Sequence, residues 1–143
     1  MIAVDTNLLV YAHREDSPWH EKAVSVLRAV AEGSTRWSIP WPCAHEFLAV
    51  VTHPRIFRPP TPLAIAFDVL RAWQASPMLS MIGENENHLE LLSSIATSSK
   101  VEGPMIHDAR IVAICLSHGV KELWSADRDF SRFPKLKVVN PLL

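Results

Sequence analysis

The sequence predicts an α/β sandwich built around a mostly parallel sheet of about five short strands. Three observations carry that expectation. Short apolar runs alternate along the chain with longer segments whose apolar residues recur at helical spacing. Acidic residues fall just after apolar runs or near the starts of helical segments, and ligands in such sheets sit beyond the carboxyl ends of the strands. The chain has 143 residues, enough for one hydrophobic core and too few for two, so residues 1–143 are expected to form a single domain.

Ile2-Ala3-Val4 is a short apolar run ending on Asp5, as expected of a buried parallel strand whose carboxyl end faces a site. Ser17-Pro18 pairs a helix-capping residue with the residue favoured at the first helical position. Trp19, Ala23, Val26, Leu27 and Val30 follow at helical spacing, and Gly33 ends the run. Trp37-Ser38-Ile39 reads as a second strand. Pro42 then opens a helix through about Val51, with Glu46 on its inner edge. The segment His53 to Pro60 is rich in proline and arginine, cannot be a regular helix, and is expected to be an exposed loop.

Thr61-Pro62 is expected to cap a helix with the stripe Leu63, Ala66, Phe67, Leu70 and Trp73. Met78 to Ile82 fits a third strand. Asn85 is expected to cap a helix carrying Leu89, Leu92, Ile95 and Ala96, and residues 100–103 to form a connection. Pro104 starts a helix that is apolar nearly all round, with Asp108 close to its beginning. Leu123-Trp124 and Val138-Val139 supply the last two strands, with Asp127 and Asp129 between them. No internal repeat is visible.

Composition narrows the function without naming it. Hydrophobic residues make up 48% and charged residues 20%, an ordered globular balance rather than a disordered one. The net charge of -1 gives no global pull toward nucleic acid. Any such binding would rest on local positive charge from residues such as Arg14, His53, Arg55, Arg58, Arg128 and Arg132. Cys43 and Cys115 both lie in apolar helical patterns, which points to buried free thiols and a reducing cytoplasm. Asp5 interrupts the apolar N-terminal stretch, which has no basic leader, and this argues against a signal peptide. No apolar run approaches the length of a membrane span.

Asp5 and Asp127 follow strands while Glu46 and Asp108 lie near helix starts, so all four are expected to converge on one rim of the sheet. Several carboxylates suit hard cations such as magnesium or manganese. Packed together they would repel and tend to protonate unless a divalent cation neutralised them. The matching chemistry is phosphodiester cleavage by metal-activated water. Each acid also has a plainer reading: Asp5 as a helix cap, Glu46 as a solvated helical residue, Asp127 as a turn former with Asp129. The histidines lack the paired helical spacing of a zinc site, although His45 and His107 flank two of the acids. Cys43 lacks an evident setting that would lower its pKa and is expected to be structural.

The motifs Ile2-Ala3-Val4-Asp5-Thr6-Asn7-Leu8-Leu9 and Ser125-Ala126-Asp127-Arg128-Asp129-Phe130 resemble the opening and closing elements of PIN domains. Ala44-His45-Glu46-Phe47 and Ile106-His107-Asp108-Ala109 stand where that family has its two middle acids. The resemblance spans essentially the whole chain and implies a PIN-like α/β/α sandwich. It further implies that Asp5 and Asp108 ligate metal directly, that Glu46 and Asp127 bind through water or a second metal, and that Asn7 and Ser125 orient these acids. Ser125 stands where many relatives have threonine, which keeps the hydroxyl. Asp129 is left outside the core set.

For function, the resemblance implies an Mg2+- or Mn2+-dependent endoribonuclease, the VapC-type toxin of a toxin-antitoxin pair, acting on RNA as a homodimer and silenced by a VapB-type antitoxin. The alternative is a catalytically silent PIN-like module that binds RNA or protein, disfavoured because all four acids are present. A phosphoacceptor domain would need adjacent acids after the first strand. An aspartyl phosphatase would need a second acid where Asn7 stands.

Overall fold

Strand β1 (Ile2–Val4) has Ala3 and Val4 fully buried, as a strand covered on both faces must be. In the computed structural model, which describes residues 1–143, it lies at the centre of a five-stranded sheet. Its partners are β2 (Trp37–Pro40), β3 (Leu79–Ile82), β4 (Glu122–Trp124) and β5 (Lys137–Val139). The spatial order is β3-β2-β1-β4-β5 and every pairing is parallel. The chain therefore builds outward from β1 to β3 and then crosses to the other side of β1. The strand order reverses between β1 and β4, and the crevice beyond their carboxyl ends is where such sheets bind ligands.

The helices are α1 (Thr6–His13), α2 (His20–Glu32), α3 (Trp41–Val51), α4 (Leu63–Gln74), α5 (His88–Ser98) and α6 (Ile106–Ser117). Short 3₁₀ turns occupy Gly103–Met105 and Arg128–Arg132. Helix α6 buries Ala109 and every residue from Ile111 to Cys115, so it needs no amphipathic stripe. Trp37, Ile39, Phe47 and Phe130 fill the space between sheet and helices. No helix is long and apolar enough to cross a membrane.

The sequence reading holds for all five strands, for the irregular loop around residues 53–60, and for Gly33 at the end of α2. It differs at several helix ends. Helix α1 was implied only by the reading of Asp5 as a helix cap; its segment Thr6–His13 mixes polar and apolar residues with no clear apolar face. Ser17-Pro18 does not begin α2. Ser17 Oγ accepts the Trp19 N–H at 3.1 Å in a turn, and the helix starts at His20. Thr61 does not cap α4, because its hydroxyl is taken by His13 and Arg14. On α4, Ala66 and Leu70 face the core, but Leu63 is 60% and Phe67 40% exposed. Leu89, expected inside, is 72% exposed on the first turn of α5. Pro104 lies in the 3₁₀ turn that precedes α6.

Candidate metal centre

Asp5 leaves β1 at its carboxyl end and stands at the start of α1, yet its side chain makes no capping hydrogen bond. It turns inward and is only 5% exposed. Asp5 Oδ2 accepts from Ser125 Oγ at 2.7 Å and from Asn7 Nδ2 at 3.4 Å, while Oδ1 accepts from Cys43 Sγ at 3.4 Å. Burial pushes the Asp5 pKa up, and the bonds from Ser125 and Cys43 oppose that rise. The Cys43 thiol is itself pushed well up by burial and by Asp5, so it remains a donor.

The sheet explains how residues 120 apart in sequence meet. The Asp5 N–H donates to Trp124 O at 3.0 Å and the Ser125 N–H to Val139 O at 2.9 Å, carrying the ladders one residue beyond the strands. Ser125 Oγ then uses all of its hydrogen-bonding capacity. It donates to Asp5 and accepts from Asn7 Nδ2 at 3.3 Å and from the Asp127 N–H at 3.0 Å. Asn7 Oδ1 accepts the Ala126 N–H at 3.2 Å, tying α1 to the segment after β4.

Glu46 approaches from α3, which leaves the carboxyl end of β2. Its Oε2 accepts from Thr6 Oγ1 at 3.3 Å, and Thr6 Oγ1 also lies 3.4 Å from Cys43 O. Partial burial and the Asp5 carboxylate push the Glu46 pKa up. Asp108 comes from the first turn of α6. Its pKa rises to about 6, first through burial and then through Asp127, Asp5, Asp129 and Glu46. Five carboxylates thus share one electrostatic field.

Carboxylate oxygens of Asp108, Asp127 and Asp129 all lie within 4.8 Å of one another. The tightest group therefore includes Asp129, which the sequence reading set aside, whereas Asp5 and Glu46 adjoin it. Asp127 Oδ1 also accepts the Asp129 N–H at 2.9 Å, so Asp127 does shape the turn as well as join the cluster. Cys43 and Thr6 were missed as partners of the acids. Their positions three residues before Glu46 and one after Asp5 were the available signals.

The donor set is all oxygen, and none of the molecule's ion pairs engages these five acids. Uncompensated clustered carboxylates fit a hard divalent cation and not a zinc site of soft ligands. His45 and His107 are both exposed. Arg14 is held by Asp16 at 2.7 Å and by Pro59 O at 3.1 Å, while Arg55, Arg58, Arg128 and Arg132 are exposed and make no ion pair.

Comparison with known proteins gives this geometry its context. Ribonuclease VapC48 of Mycobacterium tuberculosis is 30% identical over 137 residues, covering 96% of this chain and 94% of the relative. Ribonuclease VapC31 of the same organism is 32% identical over 143 residues and covers both chains completely. Among solved structures, VapBC2 from Rickettsia felis bound to a promoter DNA fragment superposes with a TM-score of 0.71 at 17% identity, over 97% of this chain and 98% of the other. VapC20 of Mycobacterium tuberculosis, described as a Sarcin-Ricin loop cleaving toxin, gives 0.66 at 15% identity over 92% and 93%. At these identities the structures establish the shared fold. The family model for the PIN domain matches residues 2–136, so that the acids from Asp5 to Asp129 all lie inside it. On that match and the full-length relatives, this chain belongs to the PIN-domain family.

Proposed function

We propose that this chain is a metal-dependent endoribonuclease, the toxin of a type II toxin-antitoxin pair, acting as a single PIN domain over residues 1–143. The observation that carries the proposal is the uncompensated carboxylate cluster at the reversal of strand order, in a chain whose full-length relatives are named VapC ribonucleases.

Asp5 and Asp108 hold the cation directly, and Glu46 and Asp127 hold it through water or a second ion. Asp129 joins them because its oxygen lies with those of Asp108 and Asp127. Hard oxygen donors favour Mg2+ or Mn2+. When bound, such a cation lowers the pKa of a coordinated water and offsets charge on the phosphoryl group under attack. The protein's own part is positional. Ser125, Asn7 and Cys43 fix both oxygens of Asp5, and Thr6 steadies Glu46. Above about pH 6 Asp108 presents a carboxylate. Arg128, beside Asp127, is free to meet substrate phosphate.

RNA as substrate fits the names of the relatives, and a VapB-type antitoxin fits the VapBC complexes among the structural neighbours. A second copy of the chain as partner and a cytoplasmic location complete the proposal; two buried free thiols accord with a reducing compartment. The test is cleavage of a cellular RNA pool by antitoxin-free protein with Mg2+ or Mn2+, with EDTA, and with folded Asp5→Asn. Metal-dependent cutting that the variant loses is the expected result. Absence of cutting under either metal would replace the proposal with a silent binding module.

A further inference from the structure

After β4 the chain passes through Ser125 and Asp127, makes the turn Arg128–Arg132, and returns through Leu136 to β5. Between this turn and the exit of β5 lies a cavity of about 430 Å³ whose lining is half hydrophobic. Phe133 and Leu136 contribute to its apolar wall, Ser131 and Asn140 to its polar side, and Asp127 and Arg128 also line it. The polar groups have unused capacity. Asn140 Oδ1 accepts the Leu142 N–H at 3.0 Å, which leaves the amide nitrogen without a protein acceptor. Ser131 and Arg128 are exposed, and Arg128 makes no ion pair.

We propose that this cavity is a nucleobase subsite, taking the base of a nucleotide whose phosphate lies at the carboxylate cluster. The inference rests on the ribonuclease reading for its choice of ligand. Its geometry rests on Asp127, which belongs both to the cavity lining and to the acid trio, so one residue faces the base on one side and the phosphate on the other. A nucleobase is flat, apolar on its faces and polar at its edge. An apolar wall ending in one amide donor and one hydroxyl is complementary to it. Arg128 at the same rim supplies positive charge for the backbone leaving the pocket.

The experiment is titration of isotope-labelled protein in Mg2+ with each nucleoside 5′-monophosphate and, as the baseless control, ribose 5-phosphate, followed by NMR. Nucleotides are expected to shift the Asn140 side-chain amide and the Ser131 and Phe133 backbone signals beyond anything the control produces. Ser131→Trp fills the cavity from an exposed position and should weaken nucleotide binding at least about tenfold while the spectrum stays dispersed. Asn140→Asp keeps the acceptor for Leu142 and removes the donor, and should change which base binds best. Identical shifts from nucleotides and ribose 5-phosphate, or unchanged nucleotide binding by folded Ser131→Trp, would overturn the subsite. Base-dependent shifts in a protein that cuts no RNA would uphold the subsite and remove the ribonuclease reading. RNA cutting without base-dependent shifts would do the reverse.

Discussion

At the scale of single residues, Asp5 is the most constrained acid because its carboxylate accepts hydrogen bonds from its neighbour Asn7 and from two distant parts of the chain. Cys43 reaches it across 38 residues of sequence and Ser125 across 120. A partner that orients a metal ligand typically changes metal affinity by about 10–100-fold when removed. Cys43→Ala should therefore weaken Mn2+ binding by about that factor, measured by calorimetry, while Cys43→Ser keeps a donor and most of the affinity. Equal affinity for Ala, Ser and wild type would show that the thiol only fills space. The proximity of Asp5, Asp108 and Asp127 was legible in the sequence because each stands at a strand end or near the start of a helix or turn, while Glu46, in the middle of α3, was legible only through its motif context. Asp129 and Cys43 were not, for a physical reason. Asp129 looks like a turn residue until the 3₁₀ turn brings its oxygen beside that of Asp108, and a buried cysteine reveals its neighbour only once α3 is packed against the start of α1.

At the scale of elements, α1 and α3 leave neighbouring strands and are tied near their far ends by Thr61. Its hydroxyl meets His13 Nε2 at 2.8 Å and accepts from Arg14 Nη1 at 3.2 Å, while its N–H donates to Val51 O at 2.8 Å. Thr61→Val keeps the shape and the backbone bond but leaves His13 and Arg14 without that oxygen. It should cost about 1–3 kcal/mol in urea unfolding, and a change within error would show that water replaces the hydroxyl freely. Past the end of α6, Gly119 adopts φ +71° with open space where a Cβ would stand. Gly119→Ala should therefore lose only about 1–2 kcal/mol, from backbone strain rather than collision. The strands were legible as short apolar runs, and the longer helices because a 3.6-residue period survives in the sequence. Helix α1 was hidden because its eight residues show no clear apolar stripe. The start of α4 was misread because the hydroxyl of Thr61 serves α1 instead of its own helix.

At the scale of the whole molecule, strand order concentrates acidic charge at one crevice, and that order was the part of the fold least visible in the sequence. Strand-end acids predicted a shared rim, but only the crossing from β3 to β4 sets Ser125 beside Asp5. The arrangement has a consequence for stability. Asp108 titrates at about 6 in the folded, metal-free protein against an ordinary value of 3.8. Between those values the folded state holds a proton that the unfolded chain has lost, so folding stability falls as pH rises through that window and levels off above it. Buried Asp5 and partly buried Glu46 are shifted in the same direction and add to the trend. A divalent cation reverses it. Bound only to the folded protein, a cation at about a hundredfold excess over its Kd stabilises by about 2.7 kcal/mol, and below pH 6 protons compete for Asp108 and shrink that gain. Thermal unfolding at pH 5, 6 and 7.5, with EDTA or with Mg2+, should show Tm falling with pH in EDTA and a metal-induced rise that is largest at pH 7.5. In Asp108→Asn both effects should be reduced. A metal-free protein that becomes more stable from pH 5 to 7.5, with no Tm shift from Mg2+ or Mn2+, would mean that these carboxylates neither repel as their clustering requires nor hold a cation.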